Sequence, residues 1–224
     1  MDIKPSDIEW AVVDRMAFQL RAVQRTEYAQ TLSLALLGGI VDWSCQRIRT
    51  PENFPESPPP EIKKLRVFLS DKQFEEVFVV DLNCCVQNSL PLPKWISGFK
   101  CVDFVKKIPK GTALDLLVAL RNALSHSDAR TVQPYNTEIG DPRLLLGFDF
   151  LLTGWERGIS WKTGGLKTAQ WVRLNADQMC AIGDTLADQF CGAMSQNLYQ
   201  RTGEGQSDPN SRNVLGENQV RKVA

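Results

Sequence analysis

Residues 112–128, TALDLLVALRNALSHSD, constrain the fold more than any other stretch of the chain. Pro109, Lys110 and Gly111 break any helix arriving from upstream. Thr112 is a good N-cap, and Asp115 stands three residues on, close to a capping box. At about 100° per residue, Ala113, Leu116, Leu117, Leu120 and Leu124 gather on one side of the wheel. That side predicts a helix driven into a core. Arg121, Asn122, Ser125 and His126 make a separate polar arc at its C-terminal end. His126 is the only histidine among 224 residues, so it is the obvious proton carrier for any chemistry near neutral pH.

The rest of the chain supplies what packs on that helix. Ser6 to Glu9 reads as a capping box opening a first helix, with Trp10, Val13, Met16, Ala17, Leu20 and Val23 at helical spacing. Tyr28 to Ile48 predicts a second, more apolar helix with Leu32, Ala35, Leu36, Ile40 and Trp43 inward. Gly38 and Gly39 are costly in its middle, and close approach of a neighbouring helix accounts for them. Residues 51–60, PENFPESPPP, read as a stiff extended connector. Residues 61–90 are ambiguous and lean towards helix, while the apolar run Val77-Phe78-Val79-Val80 also fits a short buried strand. Phe74, Val77, Phe78 and Asp81 suggest one running into Asn83, Cys84 and Cys85.

Beyond His126, residues 130–141 read as a polar loop. Leu144–Leu152, Ile159–Lys162 and Gln170–Leu174 have strand composition. Asn175, with Gln178 at the box position, caps a last helix whose inner stripe is Met179, Ile182, Leu186 and Phe190. From about Tyr199 the chain is polar and glycine-rich, which predicts a disordered tail over 200–224. The expectation is one domain over 1–199, mainly α, with a small antiparallel β-hairpin between about 144 and 174 before the last helix.

Composition excludes several function classes. Lys plus Arg and Asp plus Glu both number 26, so any nucleic-acid surface is local rather than global. No apolar run reaches membrane-spanning length, and MDIKPSDIEW lacks the features of a signal peptide. The six cysteines contain no C-x-x-C and read as buried thiols in a reducing, cytoplasmic setting. With one histidine, no metal site and no cofactor are expected. P-loop, G-x-G-x-x-G, H-E-x-x-H and G-x-S-x-G signatures are absent.

What remains is Arg121-Asn122-x-x-x-His126. With two long N-terminal helices before it, this resembles the HEPN family (higher eukaryote and prokaryote nucleotide-binding), in a plasmid- and phage-defence-associated branch. The resemblance covers roughly Ser6 to Tyr199. A parallel sheet or a sandwich would be incompatible with it. It implies a HEPN-like helical bundle and a metal-independent endoribonuclease acting as a symmetric homodimer. A toxin or antiviral effector of this kind works with an antitoxin or regulatory partner. In that reading Arg121 supports charge on the phosphate, His126 moves protons and Asn122 orients the imidazole or a phosphate oxygen. Ser125, Lys106 and Lys107 are the accompanying candidates for RNA contact.

Two features leave the alternative open. Arg121 and His126 are five residues apart, about 140° on an ideal helix, so one copy does not align them. A helix C-terminus also attracts Arg and His because their charge suits the dipole. The competing reading is a non-catalytic helical module that binds a nucleotide, RNA or a partner protein. Ser127 and Asp128 replace the pattern with a tyrosine two residues after the histidine, so modification of such a tyrosine is not implied.

Overall fold

A computed structural model describes residues 7–23, 28–50, 59–80, 102–104, 112–125, 131–136, 144–153 and 167–202. Their elements run α1 (Ile8–Val23), α2 (Ala29–Arg49), α3 (Pro60–Asp71), α4 (Phe74–Val77), β1 (Val102–Phe104), α5 (Ala113–Ser125), β2 (Val132–Asn136), β3 (Leu145–Thr153), β4 (Lys167–Leu174) and α6 (Ala176–Thr202). The described chain is mainly helical, with one small sheet.

α1, α2 and α6 pack on one another, and α5 lies between α2 and β3. The stripe Met179, Ile182, Leu186 and Phe190 of α6 is fully enclosed. Its start is capped reciprocally: Asn175 N–H donates to Gln178 Oε1 at 2.8 Å, and Gln178 N–H donates to Asn175 Oδ1 at 2.9 Å. Each bond satisfies a donor that the first turn would otherwise leave open. Polar links tie the three helices at their edges. Arg21 reaches Asp184 at 2.5 Å and Asp188 at 2.8 Å, and Arg47 Nε donates to Glu9 at 2.6 Å. Inside, Cys180 Sγ lies 3.4 Å from Ser33 Oγ and 3.5 Å from the carbonyl of Leu20.

The second helix forms where periodicity placed it but is rotated from the expected orientation. Ser33, Leu37, Ile40, Val41, Ser44, Cys45 and Ile48 are buried. Of the five residues expected inward, only Ile40 is fully buried; Leu32 and Trp43 are exposed by 40% and 38%. Two buried serines, small enough to fit between helices, disguise the true inner stripe. At Gly39 α1 approaches closely, and a Cβ there would push aside the flexible Met16 thioether. The close-approach reading of that glycine therefore holds.

Other boundaries shift for local reasons. The connector reading overran by one residue: Pro60 is the first residue of α3, a position where the missing N–H costs nothing. α4 is a single turn that ends at Phe78 in extended backbone, so the helix does not run on through Val80. Its expected course into Asn83, Cys84 and Cys85 lies outside the described residues, as do residues 51–58, the Ile159–Lys162 strand and residues 203–224. The last helix continues past Tyr199 to Thr202.

The hairpin is part of a larger sheet of order β1-β4-β3-β2. β3 and β4 pair antiparallel, as composition indicated. β2 adds a third antiparallel strand where a polar loop was expected. Pro134 masked it in the sequence, yet an edge strand tolerates a residue with no N–H to donate. On the other edge β1 pairs with β4 in parallel over three residues. The sheet is thus mixed: an antiparallel core with one short parallel strand, and neither a parallel sheet nor a sandwich. Phe148, Phe150, Leu152, Val172 and Leu174 face the helical core. On the alternate positions Arg173 grips Asp149 through Nε and Nη2 at 2.7 and 3.0 Å, and its guanidinium lies 3.3 Å from the centroid of Tyr135.

Candidate functional site

The polar arc stands at the end of a helix held firmly at both ends. At the start, Asp115 N–H donates to Thr112 Oγ1 at 3.2 Å. Thr112 returns its N–H at 3.1 Å and its hydroxyl at 2.8 Å to Asp115 Oδ2. Ala113 N–H also donates to the carbonyl of Lys72 at 2.8 Å, stitching α5 to the α3–α4 corner. At the far end, Thr131 Oγ1 donates to the carbonyl of Ala123 at 2.9 Å, covering one acceptor that the last turn exposes. Between these anchors Ala113, Leu116, Leu117, Ala119, Leu120 and Ala123 are buried. Leu124, expected inside, is half-buried near Gly38 of α2.

This packing leaves the other face of the last turn against the middle of α2. Arg121 Nε donates to Asp42 Oδ1 at 2.9 Å, and Ser125 Oγ donates to the same oxygen at 3.2 Å. The i,i+4 spacing of Arg121 and Ser125 puts both over one carboxylate. The Arg121 side chain is 29% exposed and that of Asp42 53%, so the cluster opens to solvent. Asn122 is half-buried and, among the described residues, makes no bond to Asp42. His126, Lys106 and Lys107 lie outside the described residues. Of the six sequence candidates, the fold therefore brings two together, Arg121 and Ser125.

Asp42 is the residue that sequence reasoning missed. A signal was present: it is the only acid between Glu27 and Glu52, set in an apolar run, Gly39-Ile40-Val41-Asp42-Trp43. An isolated carboxylate in such a helix needs a partner, and Arg121 supplies it. Cys45 lies beneath the cluster, fully buried. Burial pushes its thiol up to about 12, against the opposing pull of Arg49 and Arg121, so it offers no nucleophile at neutral pH.

Because Asp42 engages the Nε edge, the two terminal nitrogens of Arg121 have no partner among the described residues. A guanidinium fixed this way can present them to a phosphate oxygen. The Arg121–Asp42 pair is formally neutral, however, so strong anion binding requires a further cation. Among the described residues, no group of three or more His, Cys, Asp or Glu could hold a metal ion, and no helix is long and apolar enough to cross a membrane. No protein-family model, curated protein or solved structure matches the chain.

Proposed function

We propose that the protein is a metal-independent endoribonuclease of the HEPN type, a cytoplasmic toxin or antiviral effector whose site is Arg121, Asn122 and His126. The observation that carries this reading is the clamp of Asp42 on Arg121. It fixes a half-exposed guanidinium at the helix end, five residues before the only histidine in the chain. In the proposed reaction one histidine takes the proton of a ribose 2′-OH. The oxygen so freed attacks the adjacent phosphorus, and the 5′ oxygen leaves with a proton from a second acid. Arg121 stabilises the phosphorane oxygens through its terminal nitrogens. Since Asp42 offsets the charge of Arg121, a protonated His126, with Lys106 and Lys107, supplies the remaining attraction for phosphate.

One histidine does not serve both proton steps at once, which is why the active species is a twofold homodimer. The C-terminal half of α5 lies at its interface. An antitoxin or regulatory partner restrains the enzyme.

The same clamp favours one competing reading. An Arg already satisfied by a carboxylate is also what a plain tie between α2 and α5 looks like, in a helical module that binds a nucleotide, RNA or a protein without cleaving. Expression in a bacterium separates the two. Wild type should arrest growth and degrade cellular RNA, and His126→Ala should do neither. Equal growth and intact RNA with both proteins would favour the binding module.

A further inference from the structure

The neutral Arg121–Asp42 pair leaves the site short of a cation, and the last turn of α2 supplies one. α2 and α5 run in opposite directions along their seam: Gly38 faces Leu124, and Asp42 faces Arg121 and Ser125. Arg49 stands seven residues beyond Asp42, about two turns on, and so returns to the same side of α2. Exposed Gln46 lies between them on that side. The two arginines of this last turn differ. Arg47 is taken by Glu9 of α1. Arg49 is exposed and has no ion-pair or hydrogen-bond partner among the described residues. Cys45 relates Arg49 to Arg121. Both charges pull down on its buried thiol, one from its own helix and one from α5, so both stand over the same side chain.

We infer that Arg49 is a second phosphate subsite, holding a non-reacting phosphate of a single RNA strand beside the one at Arg121. Arg49 is displaced about 10 Å from Asp42 along α2. The displacement is away from the end of α5 that leads to His126. A stacked strand carries one phosphate per about 3.4 Å of rise, so it lays about three over that span. The strand then follows the α2–α5 seam across Gln46, with the reacting linkage at the His126 end. A guanidinium with its donors open takes two oxygens of one phosphate at once. The Gln46 amide donates to a phosphate oxygen without adding a negative charge that would repel it.

The charges decide the sign of the surface. Arg49 and Arg121 against Asp42 leave one net positive charge on the described part of the seam, which suits an anionic backbone. The dipole at a helix C-terminus also favours an arginine at this position. That effect acts on stability and is indifferent to RNA, so binding separates the two. The subsite rests on the reading of Arg121 as a phosphate ligand, and not on cleavage.

The probe is a fluorescently labelled 2′-O-methyl single strand of mixed sequence, which has no 2′-OH to attack. Anisotropy titrations of the full chain between about 50 and about 200 mM salt give its affinity and salt dependence. Arg49→Gln should weaken binding about fivefold, the upper end for an exposed ion pair. It should also reduce the slope of log K against log salt by about 0.7, one phosphate contact on a single strand. Arg49→Lys should keep the slope and recover part of the affinity, because the charge remains and the fork is lost. Arg15→Gln, which removes an exposed arginine from α1, should change neither. Circular dichroism should match wild type throughout. Equal losses from Arg49→Gln and Arg15→Gln would overturn the subsite. So would an affinity and slope unchanged by Arg49→Gln, or a wild type that does not bind the strand. Cleavage of ordinary RNA keeps the two readings apart. Binding that depends on Arg49 without any cleavage upholds the subsite and removes the nuclease. Cleavage that His126→Ala abolishes, with binding indifferent to Arg49, removes the subsite alone.

Discussion

Removing the Asp42 carboxylate distinguishes a working site from a structural tie. Asp42→Ala deletes the acceptor of both Arg121 Nε and Ser125 Oγ. Its cost in stability is bounded by the exposure of the partners, 53% for Asp42 and 29% for Arg121. Solvent-screened pairs of this kind contribute at most about 1 kcal/mol. The effect on RNA cleavage should be larger. Arg121 is assigned a charge-stabilising role with an effect on the order of 10²–10³, and an untethered guanidinium forfeits part of it. A loss of about ten- to a hundredfold is expected, which is about 1.4 to 2.7 kcal/mol at the barrier. Urea unfolding and initial cleavage rates measure the two sides. The cycle with Arg121→Ala makes the test specific: if Asp42 acts through Arg121, then Asp42→Ala costs nothing further once Arg121 is gone. Equal losses of rate in both backgrounds would refute the reasoning. So would a variant destabilised by more than about 2 kcal/mol that cleaves at the wild-type rate.

Three other outcomes follow from the packing. Asp149→Ala removes the acceptor of both Arg173 Nε and Arg173 Nη2, and should cost roughly 1.5–3 kcal/mol in urea unfolding. Asn175→Ala removes one half of the reciprocal cap on α6 and should cost about 1 kcal/mol, read as a lower Tm with unchanged helix content. Burial keeps the Cys45 thiol protonated in the fold, whereas the unfolded thiol ionises near its ordinary value of 9.0. This contribution to stability is complete below that value and disappears as pH rises towards about 12, so Cys45→Ala should flatten the alkaline decline in unfolding free energy.

The parts of the fold legible in the sequence were those encoded locally. The cap at Thr112 and Asp115, the box at Asn175 and Gln178, and the inner stripe of α6 each rest on residues a few positions apart. The orientation of α2 was misread because apolar residues occur on both of its sides, and serines rather than leucines mark part of the buried one. Only tertiary packing chooses between such faces. β2 was missed because a proline in a polar segment signals a loop unless an edge of a sheet is waiting for it.

The candidate site was half legible. Arg121 and Ser125 could be placed on one polar arc from spacing alone, and the fold joins them. Their shared partner lies 79 residues from Arg121 in sequence, and no local pattern connects the two. Lone Asp42 was the available signal, legible only to a reader who asked which cation neutralises it.

The most direct measurement takes purified protein and a single-stranded RNA in excess EDTA and identifies the product ends. The account predicts cleavage that survives EDTA, spares the matching DNA and leaves a 2′,3′-cyclic phosphate, since the 2′-OH is the nucleophile. His126→Ala should lower the rate by about 10²–10⁴, and Arg121→Lys should recover little, because an ammonium lacks the planar fork. Cleavage that requires Mg²⁺, or His126→Ala protein that cuts as fast as wild type, would contradict the assigned site.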